Sequence, residues 1–153
     1  MDKVLIIAEA GVNHDGDFDK AIELIDVAAK SGADVVKFQT FQTEKLVSQK
    51  ALMAEYQIKN IKEHNNTQYK MLKNLEMPNS WYSKLITHCK KRNIQFLSTG
   101  FDEKSNDFLE KLGQPFFKIP SGEMTNKPYL EHLGKKKKKV ILSTGMSTLE
   151  EVK

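Results

Sequence analysis

An α/β fold on a parallel sheet is what this sequence predicts, and two observations predict it. Five short apolar runs each end in small or polar residues: VLIIAEA (4 to 10), DVVKFQT (34 to 40), IQFLSTG (94 to 100), FFKIPSG (116 to 122) and KVILSTG (139 to 145). Helical patterns lie between them. Strands joined by helices run parallel, because the crossover returns the chain to the same edge of the sheet.

The elements follow in order. After the first run, Phe18, Ala21, Ile22, Ile25 and Ala29 fall on one helical face, and Gly32 supplies a stop. Before the third strand, Trp81, Leu85 and Cys89 recur every four residues, with Tyr82 and Ile86 beside them, behind a start signal at Pro78 and Ser80. Phe108, Leu109 and Leu112 then lead to Gly113, and Leu130 and Leu133 to Gly134. A last helix is opened by the capping box Ser147-Thr148-Leu149-Glu150, and the chain reaches Lys153 inside it. Segment 43 to 77 breaks the rhythm, with no strand and one helix predicted over 67 to 75. Such an elaborated βα loop is either a lid or binding loop or an idle insertion.

Composition bounds the function. At 153 residues, with 39% apolar and 29% charged, residues 1–153 are expected to form one domain around one core. No run approaches the ~18 consecutive apolar residues of a membrane span, and MDKVLIIAEAG enters a strand directly, so a cytoplasmic location is expected. The lone Cys89 excludes an intrachain disulfide and is predicted to be a packed thiol. The net charge of +4 owes much to Lys135 to Lys139, predicted to be a solvated loop. Without aromatic or arginine partners, that run does not predict nucleic-acid binding.

Chemistry enters through Lys37 and Gln39, which interrupt VVKFQTF. Side chains alternate along a strand, so these two share one face while Val36 and Phe38 take the other. Ser121 and Glu123 share parity with Ile119, and Glu9 with Leu5 and Ile7. Each strand thus starts apolar and ends polar, at the edge where parallel α/β proteins bind ligands. A lysine, hydroxyls, small glycines and two carboxylates suit an anionic substrate undergoing proton transfer, with phosphate the economical choice. For single residues a structural role competes: Glu9 could cap a loop, and Ser98, Thr99, Ser143 and Thr144 could satisfy the backbone. Lys37 is different, because a buried ammonium requires a carboxylate such as Glu9 or Glu123, or a ligand anion.

IIAEAGVNHDGD (6 to 17), GADVVKFQTF (32 to 41), FLSTGFD (96 to 102), FFKIPSGE (116 to 123) and VILSTGMSTLEEV (140 to 152) resemble the sialic acid synthase family, in order and over essentially the whole chain. The resemblance implies that the chain is the first five units of a truncated TIM (β/α)8 barrel. It also implies an enzyme condensing phosphoenolpyruvate with N-acetylmannosamine or a related 2,4-diacetamido-trideoxy sugar, releasing phosphate. A divalent metal, Mn2+ or Mg2+, polarises the sugar aldehyde in that chemistry, and the full-length family is usually a homodimer. Carried over residue by residue, Lys37, Thr99, Ser121 and Ser143 match positions that hold phosphoenolpyruvate, and Gln39 matches one near the acceptor. Glu9 and Glu123 match the carboxylates assigned to water activation and proton transfer. Asn13 and His14 match an Asn-His pair whose histidine is structural or supports the site indirectly.

Two departures stand out. Gly100 replaces the family's proline after Ser-Thr, which is expected to loosen the turn beside Thr99, and KKKKK replaces Gly-Lys-Pro before the fifth strand. The resemblance places the metal-binding histidines on later strands, outside this chain, together with a C-terminal antifreeze-like domain. Other readings remain open at this stage: a Schiff-base aldolase using Lys37, a five-stranded doubly wound binding module, and an inactive fragment or interaction module.

Overall fold

The computed structural model describes residues 4–48 and 67–153. Strands β1 (Ile7–Gly11), β2 (Val35–Thr40) and β3 (Gln95–Gly100) form a parallel sheet in sequence order, and β4 (Phe116–Ile119) and β5 (Lys139–Leu142) form a second parallel pair. The helices are α1 (Phe18–Lys30), α2 (Thr43–Leu46), α3 (Gln68–Leu75), α4 (Asn79–Lys91), α5 (Glu103–Lys111), α6 (Lys127–Lys135) and α7 (Leu149–Val152), with a 3-10 turn at Ser121–Glu123. The alternation read from the sequence is therefore present among the described residues. None of their helices is long and apolar enough to cross a membrane.

The single sheet expected is divided at β3, which lies beside β4 without forming a ladder with it. The reason lies in two side chains. Ser98 N donates to Gln114 Oε1 at 2.9 Å, and Gly100 O accepts from Tyr129 Oη at 2.6 Å. The edge groups of β3 are thereby satisfied without a neighbouring strand, as buried backbone groups must be.

The parity expected for β2 holds. Val36 and Phe38 enter the main core with Ala21, Ile25, Tyr82 and Leu85. Phe38 stacks on Phe96 at 5.7 Å, and Tyr82 meets Phe108 edge-on at 4.9 Å. Truncating the fully buried Phe38 to alanine would cost about 3–5 kcal/mol. Cys89 is buried in the same core, and burial pushes its thiol up to about 12. A smaller cluster of Phe117, Ile119, Tyr129 and Leu133 lies behind β4, while Val140, Ile141 and Leu142 of β5 are all exposed.

Local signals set the ends of elements. Asp17 caps α1 by accepting from Asp19 N and Lys20 N, Thr67 caps α3, and Asp102 caps α5. The capping box of α7 is Thr148 with Glu151, one residue beyond the predicted Ser147 and Glu150. Both registers fit the S/T-x-x-E spacing, and the observed one lets Glu151 reach back to Thr148 N at 2.7 Å. The insertion after β2 is tied at its base by Glu76, which accepts from Thr43 N at 3.0 Å and Thr43 Oγ1 at 2.7 Å. Its middle, residues 49–66, lies outside the described residues, as does His64.

The solvated loop predicted for the lysine run needs correction. Lys135 ends α6, Lys139 begins β5, and Lys136 is clamped between Asp107 and Glu110. Lys138 donates to Gln114 O at 2.8 Å and lies 5.7 Å from the centre of the Phe117 ring. Alternate lysines are thus joined to α5 and to the loop before β4. Counting charges in a run does not reveal which stems find carboxylates.

Gly100 needs correction too. The turn beside Thr99 is tight rather than loose: a Cβ at position 100 would lie 2.5 Å from Asn106 Oδ1.

Candidate active site

On the inner face of β2, opposite the helix-packed face, Lys37 forms an ion pair with Glu9 of β1 and donates to Thr99 Oγ1 of β3 at 3.4 Å. The strand register produces this directly, because Glu9 is the pairing partner of Lys37. Gly11 then breaks that register with φ +56, a left-handed conformation that glycine tolerates. A Cβ at Gly11 would lie 3.3 Å from Glu9 Oε1 and 3.6 Å from Gln39 Nε2, so Gln39 belongs to the same patch. Lys37 is buried while Glu9 is half-exposed, so the carboxylate closes the open side of the lysine.

The β4–β5 pair contributes a second lysine. Lys118 donates to Ser143 Oγ at 2.6 Å and to Ile119 O at 2.8 Å. Burial holds its ammonium below the ordinary lysine range, and repulsion from Lys37 adds to this while Glu9 opposes it. An anion bound between the two lysines would reverse that shift, since a nearby negative charge favours the protonated amine. Ser121 stands across from Gly145, whose Cβ would lie 3.6 Å from Ser121 Oγ. The arrangement can neutralise a small dianion: two ammonium groups, one of them already shared with Glu9, and hydroxyls on three strands or their ends.

Of the residues expected at the site, the structure joins Glu9, Lys37, Gln39 and Thr99 in one patch and Ser143 to the adjacent lysine. Glu123 does something different. Its Oε2 accepts from Asn126 Nδ2 at 2.5 Å, and it lines a neighbouring cleft of about 350 Å³ with Lys45, Leu46, Phe101, Lys104 and Tyr129. His14 is wholly buried, accepts from Gly16 N at 3.1 Å through Nδ1, and packs edge-on against Trp81. Burial holds its imidazole below the usual range, with Asp15 opposing, so a neutral ring pins the β1–α1 loop. Ser98 points to the helix side, where its hydroxyl lies 2.7 Å from Thr40 Oγ1. Lys118 escaped the sequence reading, although FFKI carries the signal used for VVKF: one lysine inside an apolar strand run.

Among the described residues no three His, Cys, Asp or Glu side chains converge as a metal site would require. His88 and His132 are engaged on the helical layer, with Asp26 at 2.6 Å and Asp107 at 2.7 Å.

Comparison with known proteins agrees with this architecture. The profile of the NeuB family matches residues 24–153. The chain is 53% identical over 152 residues to the N,N'-diacetyllegionaminic acid synthase of Campylobacter jejuni, covering 99% of this chain and 45% of that protein. It is 37% identical over 148 residues to the human N-acetylneuraminate-9-phosphate synthase, covering 97% of this chain and 41% of that one. Among solved structures, N-acetylneuraminic acid synthetase from Leptospira borgpetersenii superposes with a TM-score of 0.83 at 30% identity, over 99% of this chain and 48% of that one. The chain therefore spans less than half the length of these relatives. A synthase-type parallel α/β fold, a legionaminic acid synthase at 53% identity and a family profile over most of the sequence lead to one conclusion: the chain belongs to the NeuB family.

Proposed function

We propose that this chain supplies the phosphoenolpyruvate-binding part of a nonulosonate synthase, as the first five units of a TIM barrel completed by further strands. The observation that carries the proposal is that Lys37 of β2 and Lys118 of β4 are each bonded to a hydroxyl on a neighbouring strand or its end, with Lys118 within electrostatic reach of Lys37. Phosphoenolpyruvate brings a phosphate and a carboxylate, and two ammonium groups flanked by Thr99, Ser121 and Ser143 answer both. The acceptor proposed is a 2,4-diacetamido-trideoxy sugar, because identity is 53% to two N,N'-diacetyllegionaminic acid synthases. Gln39 is placed beside it.

In the proposed reaction, C3 of phosphoenolpyruvate attacks the open-chain sugar aldehyde. Water adds at C2, and the tetrahedral intermediate expels phosphate. Lys37 and Lys118 hold the anion throughout. Glu9 or Glu123 takes the proton from that water. Mn2+ or Mg2+ would polarise the aldehyde in the full-length enzyme. The described residues do not fit such an ion, and the roles assigned here do not run through it. A cytoplasmic homodimer is the expected setting of the whole protein.

The test is phosphate release by the full-length protein with phosphoenolpyruvate and each acceptor, with and without manganese, beside residues 1–153 alone. Release only from the full-length protein, fastest with the diacetamido sugar, is the expected result. Release independent of any acceptor would overturn it. The competing reading from the sequence is a Schiff-base aldolase using Lys37. Lys37 is ion-paired with Glu9, so in this structure that chemistry would fall instead to Lys118. Lys118 meets only neutral oxygens and is held below the ordinary lysine range by burial and a second cation, a setting that activates amines. Borohydride trapping with pyruvate would mark Lys118 in that case and leave it untouched in ours.

A further inference from the structure

We propose that Gly100 and Asn106 form a coupled pair that positions Thr99, with Tyr129 as the third member. The inference rests on the proposed role of Thr99 beside Lys37 for its functional meaning, and on geometry alone for the coupling. Thr99 touches the lysine directly. Asn106 acts on it only through the backbone, at the Gly100–Phe101 peptide.

The reason for a glycine at position 100 is space. Gly100 does not adopt the left-handed conformation of Gly11, so backbone freedom does not explain it. A Cβ there would meet Asn106 Oδ1 at 2.5 Å, Asn106 Cγ at 2.8 Å and Asn106 N at 3.1 Å. The asparagine amide therefore occupies the volume that a side chain at 100 would require. Asn106 is wholly buried on α5, and its Nδ2 donates to Asp102 O at 3.0 Å and Gly100 O at 3.4 Å. Tyr129 Oη donates to the same Gly100 carbonyl at 2.6 Å.

The Gly100–Phe101 peptide is thereby held on both sides, since its own N–H, at Phe101, donates to Thr40 O at 3.0 Å. Thr99 is separated from it only by the Gly100 Cα and the Thr99–Gly100 peptide. Tilting the Gly100 carbonyl would require breaking bonds to α5, α6 and β2 together. This matters for Thr99 because its bond to Lys37, at 3.4 Å, is already near the outer limit, where a small rotation decides whether the hydroxyl accepts. Asn106 Oδ1 has no hydrogen-bond partner among the described residues. It faces the Cα side of Gly100, where only a weak C–H contact is available. An orphaned buried acceptor is costly, so an apolar residue would serve packing better. What the amide adds is the donor to Gly100 and a shape that admits only glycine there.

The experiment uses full-length protein with methyl-labelled threonine, reading the Thr99 methyl signal, the melting temperature and phosphoenolpyruvate affinity. Asn106→Ala is expected to move the Thr99 methyl signal and weaken phosphoenolpyruvate binding roughly threefold to tenfold, the range for one lost hydrogen bond. Asn106→Leu keeps much of the volume but loses the donor, and should move the signal in the same way. Gly100→Ala should melt well below the parent, and the Gly100→Ala/Asn106→Ala double variant should melt above Gly100→Ala, because the collision with the amide is gone. If Gly100→Ala does not fold, recovery of folded protein in the double variant carries the same information. A Thr99 signal unmoved in folded Asn106→Ala, or melting losses that simply add in the double variant, would overturn the pair. The methyl and melting readouts need no ligand, so a parent protein that fails to bind phosphoenolpyruvate would count against the proposed function alone.

Discussion

The three-stranded sheet and the β4–β5 pair each hold one lysine bonded to a strand-end hydroxyl, and they neutralise it differently. Lys37 meets a carboxylate, Glu9, in the strand beside it; Lys118 meets only a hydroxyl and a carbonyl, and its ammonium is held below the ordinary range. Their surroundings differ as well. Lys37 sits over a core extending from Ala10 to Leu109, whereas the smaller cluster behind β4 leaves all three apolar residues of β5 exposed. The lesson is that a buried cation is stabilised by whatever acceptors the strands around it supply, a carboxylate for Lys37 and only neutral oxygens for Lys118.

The sharpest way to break this comparison is to remove Lys37. In the full-length protein, Lys37→Met should weaken phosphoenolpyruvate binding by about 3 kcal/mol, because the loss also leaves the Glu9 carboxylate facing the anion. Adding Glu9→Gln to that variant should recover part of the affinity. Calorimetry showing unchanged affinity in Lys37→Met would end the assignment.

Next in size are the carboxylates. Glu9→Gln and Glu123→Gln should each lower turnover about a hundredfold, with smaller changes in substrate affinity, as expected for groups acting on protons in the transition state. Steady-state kinetics confined to a rise in KM would reassign both as binding residues. The two need not respond equally, since Glu9 is tied to Lys37 and Glu123 to Asn126.

Lys118→Met should cost about 2 kcal/mol of phosphoenolpyruvate affinity, and Glu9→Gln should not restore it. A pH series sharpens the contrast. With the Lys118 amine held low, affinity is complete below its lowered pKa and falls as pH rises through it, so decline should begin before the ordinary lysine range. Lys118→Arg, charged throughout, should lack that early decline. A parent whose affinity stays flat to the ordinary lysine range would show that Lys118 does not contact the anion.

The smallest expected effect concerns the clamps on the helical layer. Asp26 is held by His88 and Arg92, and Asp107 by His132 and Lys136, in both cases by two residues one helical turn apart. The Lys136 hydrogen bond holds the Asp107 carboxyl below the usual range, against the opposing effect of burial and with help from His132. Its contribution is therefore present above the carboxylate pKa of the unfolded chain and lost as pH falls through the lower folded value. Asp107→Asn should reduce stability to urea by about 0.5 kcal/mol near neutrality, with the difference vanishing in acid. Asp26→Asn should do less, because Arg92 is far more exposed than Lys136.

Much of this was legible before any tertiary structure. Period-two alternation in VVKFQT separates Lys37 and Gln39 from Val36 and Phe38 whatever surrounds the strand, because alternation is a property of the extended backbone. The helices with regular apolar spacing and good caps were legible too, from the ~3.6-residue period of the helical backbone. Lys118 obeyed that rule in FFKI and was legible in principle.

Other features depended on the assembled fold. That Glu9 pairs with Lys37 is a matter of strand register, and register is set by how two separate segments bury their apolar faces. That Lys136 is clamped while Lys135 ends a helix depends on where α5 presents Asp107 and Glu110. The division of the sheet at β3 turns on Gln114 and Tyr129, distant in sequence from the Ser98 and Gly100 groups they satisfy. Sequence by itself determined which side chains share a face, since that is local geometry. Only tertiary structure decided which charges meet and which buried groups find partners, because those contacts are made between elements and hold only where packing brings them together.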